Sequence, residues 1–517
     1  MKEKKYPIGI QNFEKIRRDG YMYVDKTALV YKLVNTGSYY FLSRPRRFGK
    51  SLLLSTIEAY LQGKRDLFEG LAIEKLEKEW TRHPILHLDL NTEKYDTPEA
   101  LANKLNITLS DWEKTYGKVE YENTLSARFE GIIQRACEQT GNRVVILVDE
   151  YDKPMLQAIG KPELQEAYRN TLKAFYGALK SRDGYIKFAM LTGVTKFGKV
   201  SVFSDLNNLK DISMRNDYAD VCGISEEELL RDFNEDIHVL AEANRMSYEE
   251  TFAKLRENYN GYHFCENCIG VYNPFSLLNT FDARMFRSYW FETGTPTYLV
   301  ELLKMHHYSL NEMAHEETTA DVLNSVDSAS TNPIPVIYQS GYLTIKSYDE
   351  RFETYALGFP NREVEEGFVK FLMPYYTSVS EQQSKFEIQQ FVREVERGQC
   401  DAFFRRLQSL LADTSYEQLP REREVHYQNV LFIVSKLMGF YVQAEYHTSN
   451  GRIDLVLQTD KYVYVMEFKL DGSAEEALRQ IEEKGYAKPF EADTRQVFKI
   501  GVNFSNETRN IERWVIG

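Results

Sequence analysis

Apolar positions in the N-terminal part of the chain alternate between two spacings. Four segments each contain a short apolar run of the length of a buried strand, at residues 38–43, 83–90, 143–154 and 185–198. Segments with apolar residues at helical spacing separate these runs. The run Val144–Val148 is apolar at every position, which is typical of a strand covered on both faces. Strands that alternate with helices predict an α/β fold built on a parallel sheet.

This alternation ends at about residue 225. Ser225 precedes Glu228 by three residues, a capping-box signature that predicts the start of a helix, and a helical region follows. Residues 334–361 predict a helix end and a β-hairpin that could be the wing of a winged helix. Helical spacing continues over residues 362–412, and the last hundred or so residues return to α/β character.

The composition is that of a folded chain rich in core-forming residues. Of 517 residues, 43% are hydrophobic and 27% are charged. No apolar run approaches the ~20 residues that a membrane-spanning helix needs, and the first residues lack the apolar segment of a secretory signal. Five cysteines suggest no disulfide framework and favour the cytoplasm. With a net charge of −13, any contact with nucleic acid must use a local basic patch.

The segment after the first run, "RPRRFGKS", is similar to a phosphate-binding loop. The pattern G-x-x-x-x-G-K-[ST] is met by Gly49, Lys50 and Ser51, whereas Arg44 occupies the position of its first glycine. In such a loop, backbone N–H groups and a helix N-terminus face phosphate oxygens. We therefore expect the Lys50 ammonium to reach the β- and γ-phosphates of a nucleotide and the Ser51 hydroxyl to hold Mg²⁺.

The third run ends in the acidic sequence "VDEYD". At the carboxyl end of a buried strand, Asp149 would hold the Mg²⁺ shell, and Glu150 would orient and deprotonate the attacking water. After the fourth run, Thr192 or Thr195 could sense the γ-phosphate, and Lys196 is a further candidate. The two motifs together predict a site for ATP and Mg²⁺.

A second set of chemical groups lies near the C-terminus. Asp454 begins one predicted strand, and Glu467 and Lys469 lie two residues apart on the next, Tyr462–Leu470, and so share a sheet face. Across a hairpin, Asp454 can meet them. The two carboxylates would hold Mg²⁺, which polarises a phosphodiester, and the lysine would position the nucleophile or stabilise developing charge. The spacing D-x₁₂-E-x-K is the pattern of PD-(D/E)XK nucleases.

Long motifs over most of residues 6–350 resemble the AAA-ATPase-like family of bacteria. They are "YPIGIQNFEKIRRDGYMYVDKT", "RPRRFGKS", "VDEYDKP", "LTGVTKFGKVSVFSDLNNLKDIS", "YNGYHF…VYNPFSLL" and "YQSGYLTIK". That family's loop normally has the sequence R-P-R-R-F-G-K-S, so the resemblance implies a modified P-loop whose arginines add positive charge near the phosphates. The nucleotide-binding set that it implies is Arg44, Arg46, Arg47, Phe48, Gly49, Lys50, Ser51, Leu52, Asp149 and Thr192. It also suggests an adenine pocket near Tyr23–Thr27, and Arg215 is a candidate arginine finger.

The C-terminal segment resembles the restriction-endonuclease-like domain that accompanies this ATPase family. Glu424 matches the acidic residue of that domain's first helix, and Gln480 belongs to a match to its Q-I-x-x-K-x-Y helix. The family usually carries a histidine four residues after the glutamate, where this chain has Gln428, with His426 two residues earlier. The catalytic set implied for the whole chain is Glu150, Glu424, Asp454, Glu467, Lys469 and Gln480.

We interpret the chain as an ATPase joined to a Mg²⁺-dependent nuclease. The predicted domains are a P-loop AAA-like ATPase domain at 1–225, a helical and winged-helix-like lid at 226–360, a helical connector at 361–412 and a PD-(D/E)XK nuclease-like domain at 413–517. ATP would gate cleavage, in defence against foreign DNA or in the handling of mobile elements. The expected partner is nucleic acid, with DNA favoured over RNA; no membrane is expected, and a homo-oligomer is compatible with the sequence.

Two other functions are compatible with the same residues. One is a STAND-like nucleotide-controlled switch or scaffold with a catalytically silent nuclease fold. The presence of the complete set Asp454, Glu467 and Lys469 disfavours this alternative, because a domain that only binds does not need it. The other is a transcriptional regulator, which the scarcity of basic residues near the predicted wing disfavours. His263, Cys265 and Cys268 would supply only three of the four ligands usual for structural zinc, so we interpret these cysteines as unrelated to metal.

Overall fold

The computed structural model of the protein describes residues 4–197, 208–291, 299–300, 302–303, 308–313, 316–324, 332–377, 379–411, 420–439, 441, 443–449 and 452–517. The chain divides into two units. One contains residues 1–293 and 317–363, and the other contains residues 294–316 and 364–517. Each unit is built around its own five-stranded sheet.

A parallel sheet forms the centre of the first unit. Its strands are β1 (Tyr39–Ser43), β2 (Ile85–Asp89), β3 (Val144–Asp149), β4 (Ile186–Gly193) and β5 (Lys210–Asp211). Their spatial order is β2-β3-β4-β1-β5, and every neighbouring pair is parallel. All six positions of β3 are buried, as its continuous apolar run predicts. The predicted α/β fold with a parallel sheet is therefore confirmed.

Helices connect the strands and cover the sheet. They are Phe13–Arg18, Thr27–Thr36, Lys50–Leu61, Ala72–Leu76, Pro98–Tyr116, Leu125–Thr140, Lys153–Gln157, Pro162–Tyr176 and Ala178–Ser181. The helix Lys50–Leu61 follows β1 directly after the loop 44–49, and its residues Leu53, Leu54 and Ile57 are buried. The sequence places this helix N-terminus at the carboxyl end of a central strand, which is where ligands bind in open parallel sheets.

A helical region follows the sheet within the same unit. Its helices are Glu226–Asn244, Tyr248–Tyr259 and Pro274–Ala283, with a short antiparallel pair of strands, β6 (Ile224–Ser225) and β7 (Val271–Tyr272). The predicted capping box is present, since the Ser225 side chain accepts from the Glu228 N–H and the Glu228 carboxylate accepts from the Ser225 N–H. An apolar cluster centred on Leu229 and Phe233 also takes in Ile8 and Met22 of the N-terminal segment. That segment is thereby held beside the helical region.

A small antiparallel sheet completes the first unit. Its strands are β8 (Glu317–Thr319), β9 (Thr344–Asp349) and β10 (Thr354–Gly358), in the order β8-β10-β9, with the short helices Ala320–Leu323 and Ile334–Gln339. The predicted hairpin is therefore present, and its role as a wing stays an interpretation. Gly341, between helix and hairpin, has φ = 89°, and a Cβ there would lie 2.6 Å from the Pro45 side chain. Only glycine allows this close approach to the loop 44–49.

The second unit contains a mixed sheet and several helices. The helices are Leu310–Met313, Arg362–Tyr376 (which begins at the end of the first unit), Glu381–Glu396, Cys400–Leu411, Pro420–Met438 and Ala474–Lys484. The strands are β11 (Gln443–Ser449), β12 (Arg452–Gln458), β13 (Tyr462–Leu470), β14 (Gln496–Ser505) and β15 (Asn510–Ile516), ordered as numbered. Only the pair β13–β14 of these strands is parallel, and the helix Ala474–Lys484 connects the two. A Cβ at Gly501 would lie 2.0 Å from the Ala474 carbonyl oxygen, so this glycine lets the helix approach the sheet closely.

Candidate functional site

A cavity of about 300 Å³ lies beside the loops that follow β1 and β3. The loop 44–49 and the first turn of the helix Lys50–Leu61 line one part of it, and Glu150 and Lys153 line another. The N-terminal segment Pro7–Gln11 and the start of the helix Pro274–Ala283 complete the wall. Charged groups and a helix N-terminus thus converge on one concave site, which is the usual form of an anion-binding pocket.

Lys50 is buried in the wall of this cavity. Gly49 has φ = 90° and ends the loop, and the helix begins at Lys50. Lys50 Nζ donates to the carbonyl oxygens of Arg44, at 3.0 Å, and Pro45, at 3.2 Å. It also lies 3.3 Å from the Glu150 carboxylate. The ammonium is therefore held between its own loop and an acidic residue on the adjacent turn.

Asp149 and Glu150 lie at the carboxyl end of β3. Thr192 Oγ1, near the end of β4, donates to Asp149 Oδ1 at 2.7 Å, and the Glu150 N–H donates to the same oxygen at 3.1 Å. Glu150 has φ = 52°, a left-handed conformation that is uncommon for a residue with a Cβ and typical of functional turns. The structure thus brings Lys50, Asp149, Glu150 and Thr192 together.

Arg44 does not line this cavity, so the expectation that it adds charge near the phosphates is wrong. Its side chain is 1% exposed, and the guanidinium donates to the carbonyl oxygens of Ser43 at 2.9 Å, Ser213 at 2.7 Å and Tyr218 at 3.2 Å. The guanidinium carbon lies 4.1 Å from the centre of the Phe264 ring. Burial lowers the pKa of Arg44. Arg44 therefore fastens the loop to the segment 213–218 instead of facing a ligand.

The other two loop arginines do line the cavity. Arg46 is half-buried, and Arg47 is exposed with its guanidinium 4.9 Å from the Phe275 ring centre. Phe48 turns away from the cavity and packs on Tyr262, with ring centres 4.7 Å apart. The predicted residues that line the cavity are Arg46, Arg47, Gly49, Lys50, Ser51, Leu52 and Glu150.

An apolar cavity of about 100 Å³ adjoins the first. The two share the wall residues Pro7, Gly49, Leu52, Pro274 and Leu278. The second is also lined by Met22, Tyr23, Val24 and Lys26, the last of which forms a 2.6 Å ion pair with Glu228. A charged cavity suits the phosphates of a nucleotide, and an adjoining apolar cavity suits its base. The apolar cavity includes part of the segment Tyr23–Thr27 that was expected to hold adenine.

Asp152 is a residue of interest that sequence reasoning missed. It is fully buried, and its carboxylate accepts hydrogen bonds from the Val194 N–H at 3.1 Å, the Thr195 N–H at 2.6 Å and the Thr195 hydroxyl at 2.7 Å. Burial raises the pKa of Asp152 to about 6, and the negative charge of Glu150 acts in the same direction. The available signal was the third acidic residue of "VDEYD", to which neither the Mg²⁺ role nor the water-activating role was assigned.

Three further candidates line neither cavity. Thr195 is bound to the buried Asp152 carboxylate. Lys196 forms an ion pair with Asp211. Arg215 donates to both carboxylate oxygens of Asp217, at 2.9 and 3.1 Å. The side chains of these three residues are therefore engaged with other protein groups and do not face either cavity.

In the second unit, the hairpin β12–β13 carries the predicted carboxylates. The strand register pairs Asp454 with Glu467. Glu467 is 0% exposed, and Lys469 Nζ lies 3.8 Å from its carboxylate. Lys469 Nζ also donates to Gln480 Oε1 at 2.5 Å, from the helix Ala474–Lys484. Glu467, Lys469 and Gln480 are therefore brought together, although Gln480 belongs to a helix and the other two to a strand.

The remaining members of that set lie outside the described side chains. The backbone of Glu424 belongs to the helix Pro420–Met438 and that of Asp454 to β12, but neither side chain is described. Within the side chains that are described, no three His, Cys, Asp or Glu residues form a metal-sized group. Glu467 provides one buried carboxylate of the kind that suits Mg²⁺, a cation that prefers oxygen ligands.

Cys265 and Cys268 form one disulfide, although the small number of cysteines suggested no disulfide framework. Two intervening residues bring their Cα atoms to 5.4 Å, within the range for such a bond. In this state the sulfurs are not zinc-binding thiolates. The other three cysteines, Cys137, Cys222 and Cys400, are free. In the part of the chain that the structure describes, no helix has both the length and the apolar character needed to span a membrane.

Comparisons with known proteins identify the same two modules. A family profile described as "Predicted AAA-ATPase" matches residues 7–203, and one described as "PD-(D/E)XK nuclease superfamily" matches residues 422–514. The "Uncharacterized protein in vnfD 5'region" of Azotobacter chroococcum mcd 1 is 36% identical over 529 residues, which cover 100% of this chain and 99% of that protein. The solved "Structure of the Aeropyrum Pernix ORC2 protein (ADPNP-ADP complexes)" is similar at 8% identity over 65% of this chain and 88% of that chain, with a TM-score of 0.20.

The chain therefore joins a nucleotide-binding module to a nuclease-like domain. The order of the modules along the chain is the one that the motifs predict, and the similarity to the relative from Azotobacter chroococcum extends over nearly the whole of both chains. The protein belongs to the AAA-ATPase-like family and carries a C-terminal domain of the PD-(D/E)XK nuclease superfamily.

Proposed function

We propose that the protein binds and hydrolyses ATP in its first unit and that this cycle gates a Mg²⁺-dependent phosphodiesterase in its second. One observation carries the proposal. Lys50 and Glu150 face each other at 3.3 Å within a cavity that a helix N-terminus also lines. A buried cation and an acidic residue at this place are what phosphate binding and water activation require.

The phosphates of ATP would compete for the Lys50 ammonium. Entry of a triphosphate would draw Lys50 away from the carbonyl oxygens of Arg44 and Pro45 and from Glu150. The Glu150 carboxylate would then be available to accept a proton from water. Ser51 and Asp149 would hold the Mg²⁺ that accompanies ATP, which neutralises charge on the phosphates. Thr192 would keep Asp149 in place through its 2.7 Å hydrogen bond.

The base of the nucleotide would occupy the adjoining apolar cavity. Met22, Tyr23 and Val24 offer it an apolar wall, and the ion pair of Lys26 with Glu228 supplies polar groups. Because the two cavities share wall residues, one molecule can fill both. We assign the occupant as ATP on the combination of a phosphate loop and an apolar slot of about 100 Å³.

In the second unit, Asp454 and Glu467 would hold the Mg²⁺ of the phosphodiesterase, and Glu424 and Gln480 would complete that site. Bound there, the ion would polarise the phosphodiester and lower the pKa of a water molecule. Lys469 would stabilise the negative charge that develops on the phosphate. Its ammonium is oriented for this by Gln480, whose side-chain oxygen accepts from it at 2.5 Å.

The substrate that fits this chemistry is nucleic acid, and we favour DNA. A net charge of −13 means that binding must depend on local contacts, so we expect steep competition by salt and by non-substrate polyanions. We further propose a cytoplasmic location, a capacity to form homo-oligomers, the four domain boundaries given by the sequence, and a role in defence or in handling mobile elements.

The direct test is cleavage of labelled single- and double-stranded DNA and RNA with Mg²⁺ or Mn²⁺, with and without ATP. Glu467→Gln should abolish cleavage, and Lys50→Ala should abolish the response to ATP. Lys180→Ala and Glu491→Gln, which change exposed residues of the same types, are the matched controls. Cleavage that persists in Glu467→Gln would refute the assigned nuclease site. ATP binding without cleavage under any condition would instead favour the nucleotide-controlled switch.

A further inference from the structure

Lys153 is a cation at the first cavity that the mechanism above does not use. It is half-buried, it is the first residue of the helix Lys153–Gln157, and it lines the cavity together with Lys50 and Glu150. Among the described residues, its ammonium has no ion-pair partner and no hydrogen-bond acceptor. A half-buried cation that contacts no carboxylate directly is stabilised by a ligand that brings negative charge into contact with it.

The backbone beneath Lys153 is firmly held. Its N–H donates to the Glu150 carbonyl oxygen at 3.0 Å. The preceding residue, Asp152, is fully buried and tied to the backbone after β4, and the following residue, Pro154, is buried. Because the turn is fixed, the side chain has a defined starting point for contact with a ligand, which limits the entropy that binding would cost.

Arg46 gives the same cavity a second positive charge. Its side chain has no ion pair among the described residues, and its carbonyl oxygen accepts from Trp290 Nε1 at 3.2 Å, which holds the backbone. Burial lowers the pKa of Lys153, and the positive charge of Arg46 lowers it further, although Glu150, Asp152 and Asp89 oppose this. The two cations therefore share one space, whereas Lys50 already has three oxygen partners.

We propose that Lys153, assisted by Arg46, binds the terminal phosphate and thereby distinguishes a nucleoside triphosphate from a diphosphate. This rests on the ATP site proposed above. Glu150 lines the cavity together with Lys50 and Lys153, so a γ-phosphate that takes both cations would sit beside the residue assigned to activate water. The diphosphate would keep Lys50 and the loop N–H groups and lose only the contacts to Lys153 and Arg46.

The test measures the Kd of adenylyl imidodiphosphate and of ADP, each with Mg²⁺, by titration calorimetry on the full chain. Lys153→Met should weaken the triphosphate analogue about tenfold or more and ADP less than about threefold, since a charge-assisted hydrogen bond is lost only for the former. Lys153→Arg should retain most of the preference. Lys161→Met, at an exposed lysine nearby, is the control and should change neither Kd.

The outcomes separate this inference from the ATP site itself. If the unmodified protein binds neither nucleotide, the proposed function fails. If it binds both and Lys153→Met weakens both equally, or neither, the assignment of Lys153 is overturned while the site stands. Should Lys153→Met unfold, as a lowered melting temperature without nucleotide would reveal, Arg46→Met supplies the same comparison, with the same selective loss expected.

Discussion

Replacing Arg44 with glycine would restore the common phosphate-loop sequence, yet we expect it to damage the protein. The motif alone would suggest that Arg44→Gly is neutral or improves nucleotide binding. The structure predicts the opposite, because the Arg44 guanidinium donates to three carbonyl oxygens at 2.7–3.2 Å and is 1% exposed. The substitution would remove those donors and leave the carbonyl groups of Ser213 and Tyr218 without them in a buried place.

The size of the loss follows from these contacts. Leaving a buried acceptor without its donor typically costs roughly 1–3 kcal/mol, so the two carbonyl groups together cost roughly 2–6 kcal/mol, and glycine adds about 0.5–1 kcal/mol of backbone entropy. The variant no longer has to bury the Arg44 guanidinium, whose burial also lowers its pKa. This gain offsets part of the loss, so the total should lie in the lower half of that range. We expect a loss of about 3–4 kcal/mol in the free energy of unfolding, which corresponds to a melting temperature lower by on the order of 10 °C for a unit of this size.

Differential scanning fluorimetry on the full chain measures this change. Arg47→Gly is the matched control, since Arg47 is exposed and has φ = 66°, a conformation that glycine adopts without strain. We expect its melting temperature to be unchanged or slightly raised. For a unit of this size, 1 kcal/mol shifts the melting temperature by about 2–4 °C. A melting temperature of Arg44→Gly within about 2 °C of that of the parent would therefore show that the guanidinium contacts do not stabilise the fold.

Three further predictions concern other parts of the two sites. Gly341→Ala should lower ATP affinity severalfold as measured by calorimetry, because its Cβ would lie 2.6 Å from the Pro45 side chain in the phosphate loop; unchanged affinity would contradict this contact. Asp152, whose pKa is raised to about 6 in the folded state, binds a proton more tightly folded than unfolded, so its contribution to stability is largest below about pH 4 and declines as the pH rises to about 6. The melting temperature of the parent minus that of Asp152→Asn should fall across this range, and a constant difference would refute it. Gln480→Ala should reduce the cleavage rate by releasing Lys469, whereas Gln480→Glu should retain the Lys469 contact and more of the activity. An equal loss of cleavage rate in both variants would argue against a positioning role for Gln480.

The sequence predicts the framework of both sites because their elements are local. A strand, a glycine-containing loop and a helix follow one another within residues 39–61. The place of Gly49, Lys50 and Ser51 in the motif therefore predicts that they lie at the junction of the loop and the helix. The acidic pair at the end of β3 and the two-residue spacing of Glu467 and Lys469 are equally local, since a strand alternates its side chains between two faces.

The direction of side chains that depend on distant partners could not be predicted from the sequence. Arg44 matches a loop position, but its guanidinium is satisfied by residues near 213–218, which no local pattern connects to it. Asp152 and Lys153 follow the acidic pair closely, yet one is buried against the end of β4 and the other lines the cavity. The turn before them contains Glu150 with a left-handed φ of 52°, a conformation that the sequence around it does not indicate.

The walls of the nucleotide cavity come from parts of the chain that are made at different times. Pro7 and Leu278 belong to the same wall although the whole parallel sheet, which ends at Asp211, lies between them in sequence. During synthesis at about 5–20 residues per second, the sheet is complete several seconds before the helix Pro274–Ala283 leaves the ribosome. A nucleotide that depends on those walls cannot stabilise the nascent sheet by mass action. For the same reason, a recombinant fragment that stops at residue 225 would retain the phosphate loop and lose Pro274, Phe275 and Leu278, so a fragment intended to bind ATP must extend through residue 283.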